Sequence, residues 1–178
     1  YQTAGGLHGV GASVVNALSK ELIARSTRDG AQWEQHFTQG KPTGPLRRIG
    51  RARGSGTTVF FRPDATIFPK TTFDADLIGN RLEITSYLHR GVAMVFKNEA
   101  TGTRQAFQHD EGLTDYLQQI LHTREASPVH DVPFALNRSH DVTRAKLDLA
   151  MQWTEATDEH LRSYVNGIPT GSGGTHEN

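Results

Sequence analysis

The stretch best suited to chemistry is Gly5-Gly6-Leu7-His8-Gly9-Val10-Gly11. Glycines let a backbone reach positive φ and approach a ligand closely. An amphipathic run follows at once. Val14, Val15, Leu18 and Leu22 share one side of a 3.6-residue wheel, with Ser13, Asn16 and Lys20 elsewhere, which predicts a helix over 12–22. A helix N-terminus leaves about four backbone N–H groups without partners in the helix. It also carries partial positive charge, so a Gly-rich approach to one suits a phosphate. No Gly-Lys-Ser/Thr follows, so this is not a Walker A loop. A plain flexible turn is the bland alternative for such a stretch.

The elements that must position this stretch are legible downstream. From Leu22 the pattern becomes extended, and Asp29-Gly30 between two extended runs predicts a hairpin, its second arm spanning 31–38. Residues 40–45 read as a loop, 46–49 as a short strand, and 57–61 as a strand stopped by Pro63-Asp64. A helix over 74–88 carries Leu77, Ile78, Leu82, Ile84 and Leu88, with Asp74 placed to cap it. A hairpin over 92–97 and 103–109, a helix over 111–121 and a loop over 126–140 follow. Ala145, Leu147, Leu149, Met151 and Trp153 then alternate with polar or small residues, predicting a strand with one buried face. A last strand is expected over 160–165. The composite is α+β, with helices on one face of a mostly antiparallel sheet. A domain boundary is expected near residue 110.

Composition narrows the classes. The chain has 178 residues, with 19 Lys+Arg against 19 Asp+Glu, so net charge gives no argument for nucleic acid. There are no cysteines, which removes disulfides, Cys-based zinc sites and thiol catalysis. No apolar run approaches the roughly 20 residues of a membrane helix. The chain opens on Tyr1 inside a motif and closes on Thr175-His176-Glu177-Asn178, which reads as a piece of a longer protein.

The string Tyr1-Gln2-Thr3-Ala4-Gly5-Gly6-Leu7-His8-Gly9-Val10-Gly11, followed by Ser13-Val14-Val15-Asn16-Ala17-Leu18-Ser19, resembles the ATP-lid signature of the ATPase subunits of bacterial type IIA DNA topoisomerases, gyrase B and topoisomerase IV B. Those subunits belong to the wider GHKL-type ATPase superfamily. Three later stretches agree in order and spacing. They are Ser55-Gly56-Thr57-Thr58-Val59-Phe60-Phe61-Arg62-Pro63-Asp64, then Arg81 to Leu88 with Gly91-Val92, and Ser163 to Thr170 with Gly173-Gly174-Thr175-His176. Ser172, His89 and Gly167 depart from the residues usual in that family.

The resemblance implies the C-terminal part of a GHKL-type ATPase sandwich over 1–110, from the ATP lid onward, and the first part of an α+β transducer domain over 111–178. It implies that Tyr1 contacts the adenine end of ATP and that Gly6, Leu7, His8, Gly9, Val10 and Gly11 wrap the triphosphate, with His8 beside the γ-phosphate. Thr57 would support adenine recognition, and Arg28 would stand at the pocket mouth where inhibitors bind. ATP and Mg2+ are the implied cofactors. The catalytic glutamate, the magnesium-binding asparagine and the transducer lysine of the family lie outside this sequence, so the chain alone is expected to be inactive. The implied partners are a second copy of the same chain, the DNA-cleaving subunit and duplex DNA, in the bacterial cytoplasm. The alternative is a degenerate dimerisation or regulatory module without hydrolysis.

Other signals carry less. Nine histidines are scattered without a His-x-x-x-His pair. Asp110-Glu111 and Asp158-Glu159 sit at expected turns or helix starts, where capping explains them. Arg47, Arg48, Arg51 and Arg53 form a basic cluster in a Gly-rich loop that could touch DNA phosphates, but it lacks interleaved aromatics and is read as a solvated loop.

Overall fold

A computed structural model describes residues 10–171. Within it the chain divides into two compact units, 1–72 and 73–178. Tyr1 and Gly6 to Gly9 lie outside the described residues.

The first unit begins with a short helix α1 (Gly11–Ala17), followed by β1 (Ser19–Arg28) and β2 (Ala31–Thr38). Then come β3 (Lys41–Pro42), β4 (Arg47–Arg51) and β5 (Gly56–Pro63). They form one antiparallel sheet in the order β3-β2-β1-β5, with β4 also paired to β2. The predicted Asp29-Gly30 hairpin is present. Arg28 pairs with Ala31, and both turn residues take positive φ, 53° at Asp29 and 73° at Gly30. That is the two-residue turn whose twist matches the strands it joins.

The helix predicted over 12–22 is shorter than its periodicity implied. It ends at Ala17, and Ser19 already pairs with Pro63. A register shift between Ser19 and Glu21 then carries β1 along β5. Pairing with a strand some forty residues away overrides the local wheel.

The second unit contains α2 (Ala75–Leu88), the hairpin β6 (Met94–Asn98) with β7 (Thr103–Phe107), and α3 (Leu113–Thr123). It continues with the pair β8 (Phe134–Ser139) and β9 (Lys146–Met151) and the short hairpin β10 (Tyr164–Val165) with β11 (Ile168–Pro169). Asp74 caps α2 as expected, its Oδ1 accepting from the Leu77 N–H at 3.0 Å. β8 occupies part of the stretch expected to be a loop, pairing Leu136 with Leu149 and Phe134 with Met151. β9 forms where the alternation placed it, but its apolar face is open: Leu147, Leu149 and Met151 are 51%, 39% and 38% exposed. The strand expected over 160–165 shrinks to Tyr164–Val165, and the His160 and Arg162 side chains before it are hydrogen-bonded to each other.

The second unit is knit by aromatic stacking. Tyr87 of α2 lies 3.6 Å from the His109 ring and 4.9 Å from the Tyr116 ring of α3, centroid to centroid. Ser86, fully buried, bridges the Glu83 carbonyl and His109 Nδ1 at 2.6 and 2.8 Å. The Tyr116 and Tyr164 hydroxyls lie 2.9 Å apart, and Arg162 Nη1 donates to Tyr116 at 2.5 Å. Burial, with the hydrogen bond to Tyr116, pushes the Tyr164 phenol up to about 12.

Candidate nucleotide-facing sheet of the first unit

Of the expected lid residues, Val10 and Gly11 are described. Val10 is the N-cap of α1, exposed and without a side-chain cap, and its carbonyl accepts from the Val14 N–H at 2.9 Å. Gly11 is the first helical residue, so the N–H groups that the phosphate argument needs begin at this point.

Thr57 lies on β5 directly opposite Ser26 of β1. Residues opposite one another share a face, and alternate residues along a strand return to it. Leu22, Ala24, Ser26 and Arg28 of β1 therefore share a face with Thr57, Val59 and Phe61 of β5. The structure thus brings Thr57 and Arg28, twenty-nine positions apart in sequence, onto one surface. Val59 is 53% exposed, and Arg28 stands at the hairpin tip with its side chain 80% exposed, 3.3 Å from the Asp29 carboxylate. A hydroxyl beside open apolar side chains suits a flat heterocycle that needs one hydrogen bond and a greasy wall.

The opposite face carries a different cluster. Glu34 accepts from His36 Nε2 at 2.7 Å and pairs with Arg25, and these hydrogen bonds hold its carboxyl below the ordinary range.

Asp64 fixes the junction that carries α1, and nothing in the local sequence marked it for that role. Its Oδ2 accepts from Gln39 Nε2 at 2.6 Å, and its Oδ1 from the Thr66 N–H and hydroxyl at 2.9 and 2.7 Å. Its own N–H donates to the Leu18 carbonyl at 3.1 Å, while the Gln39 N–H reaches the Ser19 carbonyl at 2.9 Å. Buried Asp64 therefore ties the end of β2 and the turn after β5 through its carboxylate, and the end of α1 through its backbone N–H. The Gln39 and Thr66 hydrogen bonds hold it below its ordinary value. Gly40 adjoins the same knot with φ 80°, and a Cβ there would meet the Ala17 Cα at 3.4 Å.

Among the described residues no group of three or more His, Cys, Asp or Glu could hold a metal ion.

The family model described as DNA gyrase B matches residues 112–178. DNA gyrase B from Thermotoga maritima is 37% identical over 99% of this chain and 28% of its own length. DNA topoisomerase 4 B from Bacillus subtilis is 35% identical over 99% of this chain and 26% of its own. The 43K ATPase domain of Thermus thermophilus gyrase B, solved with an aminocoumarin, superposes with a TM-score of 0.83 at 32% identity, over 95% of this chain and 46% of that one. The chain belongs to the gyrase B and topoisomerase IV B family.

The relatives are type II topoisomerase subunits, and the chain spans about a quarter of the length of the curated ones it matches, 28% and 26% for the two above. The α+β, mostly antiparallel architecture is that of the family's ATPase domain. Gyrase B and topoisomerase IV B relatives match at similar identity, 37% and 35% for the two above. No helix among the described residues is long and apolar enough to cross a membrane.

Proposed function

We propose that the chain is the lid-side part of the ATP-binding apparatus of a type II topoisomerase, working in the bacterial cytoplasm. ATP-driven closure and dimerisation of the parent protein would power DNA strand passage. Family membership together with the shared face of Thr57 and Arg28 is the observation that carries this reading.

In it the Thr57 hydroxyl orients the base against Val59, and Tyr1 contacts the adenine end. Backbone N–H groups from Gly6 to Gly11 hold the triphosphate with His8 beside the γ-phosphate, and Arg28 guards the pocket mouth. Preorganised donors of this kind are how phosphoryl-transfer sites stabilise charge. Mg2+ would be held by residues other than the described ones, and when bound it neutralises charge on the phosphates. We assign 1–110 to the ATP-binding domain and 111–178 to the transducer, a boundary that differs from the division into compact units at 72/73 and is supported by the family match that begins at 112. The partners are a second copy, the DNA-cleaving subunit and duplex DNA.

The test is calorimetric titration of a non-hydrolysable ATP analogue with Mg2+, on this chain and on a form extended upstream through the family's acidic helix. Binding by the extended form alone, with no turnover by this chain, supports the proposal. Thr57→Ala in the extended form should weaken binding about tenfold, the loss of one good hydrogen bond. Binding by neither folded form would instead favour a dimerisation or regulatory module without hydrolysis.

A further inference from the structure

The arginine cluster at 47–53 changes character once it is placed in the sheet. β4 is an edge strand, paired only to β2, and all five of its residues are exposed. Arg47, Arg48, Arg51 and Arg53 have no ion-pair partner among the described residues. No acidic residue interrupts 35–63.

Spacing alone would put Arg48 and Arg51, three positions apart, on opposite faces. A register shift between Gln32 and Trp33 prevents this: Arg48 pairs with Trp33, Gly50 with Gln32, and Arg51 with Ala31. Trp33 and Ala31 are two apart on β2, so the extra residue in β4 turns both arginines to one face. Re-aiming a side chain is what bulges at sheet edges do. Ala31 also pairs with Arg28 on its other side. Arg28 and Arg51 therefore flank Ala31 on that face, with backbones about 10 Å apart by strand spacing, and Arg48 lies beside Trp33, itself 37% exposed. The aromatic absent from the linear cluster is supplied across the sheet.

We propose that Arg48 and Arg51, with Arg28 at the border and Trp33 between the rows, form a contact surface for the phosphodiester backbone of a nucleic acid. Guanidinium groups without ion-pair partners among the described residues, as Arg48 and Arg51 are, pair with phosphate at little cost, whereas Arg28 already faces Asp29 at 3.3 Å. A neutral chain that concentrates such groups on one edge binds locally rather than through net charge. The surface reads no sequence, since backbone contacts position rather than specify. Its core, Arg48 and Arg51, lies on the edge strand β4 and outside the residues assigned to ATP, while Arg28 is shared with the proposed pocket mouth, so the arginine variants test this surface separately from ATP-analogue binding.

The experiment measures affinity for a short DNA duplex and for a single strand of equal length, as a function of salt. The proteins compared are the chain, Arg48→Ala/Arg51→Ala, and the control Arg104→Ala/Arg138→Ala, which removes the same charge from exposed strand positions of the other unit. Circular dichroism checks that both variants fold. The first double variant should bind more weakly to every sequence, with the salt slope reduced by about 2, while the control matches the parent. Fluorescence of Trp33, read in a Trp153→Phe background, identifies the form of nucleic acid. Quenching by the single strand marks base stacking, and unchanged emission marks duplex backbone contact. No binding by the parent chain, or equal losses in the two double variants, would overturn the proposal.

Discussion

Asp64 is the residue on which the first unit's geometry most depends. Its carboxylate accepts three hydrogen bonds, from Gln39 and twice from Thr66, and it is nearly inaccessible to water. Asn has a similar shape, but its NH2 group offers a donor where one of those donors points. Asp64→Asn should therefore lower Tm by roughly 5 °C, a typical loss for one buried polar contact in a small domain. The pH dependence follows from the direction of the shift. The folded-state pKa lies below the ordinary 3.8. The contribution is thus complete above that value and is lost as pH falls through the folded pKa. The parent should lose Tm on acidification below about pH 4, and Asp64→Asn should show a smaller part of that loss. Melting both proteins across acidic pH decides it; parallel curves would count against the knot. None of this was readable from the sequence, where Asp64 marked only the end of a strand. Its partner Gln39 is 25 positions away.

At the scale of elements, legibility followed the range of the interactions. The β1–β2 hairpin was readable because Asp29-Gly30 specifies its own turn, and α2 because Asp74 caps it locally. The helix α1 was over-extended and β8 was missed because pairing with distant strands decided both. Phe134 to Ser139 follows Pro133 and carries Asn137 and Arg138, weak strand formers. Of the candidate site, the hairpin position of Arg28 was legible, but its shared face with Thr57 required the β1–β5 register.

Two glycines in this sheet test the turn argument. Gly30 has φ 73° with open space where a Cβ would go, so its requirement is purely conformational. Gly56 has equally open space and no positive φ. Gly30→Ala should cost about 1 kcal/mol, whereas Gly56→Ala should be neutral or slightly stabilising by lowering unfolded-state entropy. Urea midpoints of the two variants provide the comparison, and equal effects would show that the turn is not held by backbone conformation.

For the molecule as a whole, the decisive quantity is how little apolar surface is removed from water. The buried apolar residues among those described are Leu22, Ala31, Tyr87, Tyr116 and Leu121. Large side chains on both faces of the first sheet remain open, including Val59 at 53% and Phe60 at 42%, and Trp153 and Leu161 in the second unit are 57% and 59% exposed. Folding free energy is a small difference between burial and conformational entropy. Hydrogen-bonded strands with so thin a core should be only marginally stable, and contiguous open apolar surface should bind other apolar matter. The 178-residue chain is therefore expected to melt at low temperature, with a low urea midpoint, and to enhance the fluorescence of ANS while its far-ultraviolet dichroism stays sheet-rich. A form extended along the sequence of its relatives should lose most of that dye signal and gain stability to the extent that added elements cover open apolar side chains. Light scattering run in parallel separates covering by self-association from covering by added chain: in the first case dye binding falls with protein concentration. A weak ANS signal from a monomeric chain with a high urea midpoint would show that five buried apolar side chains and the hydrogen-bonded knots at Asp64 and Ser86 suffice to hold the fold.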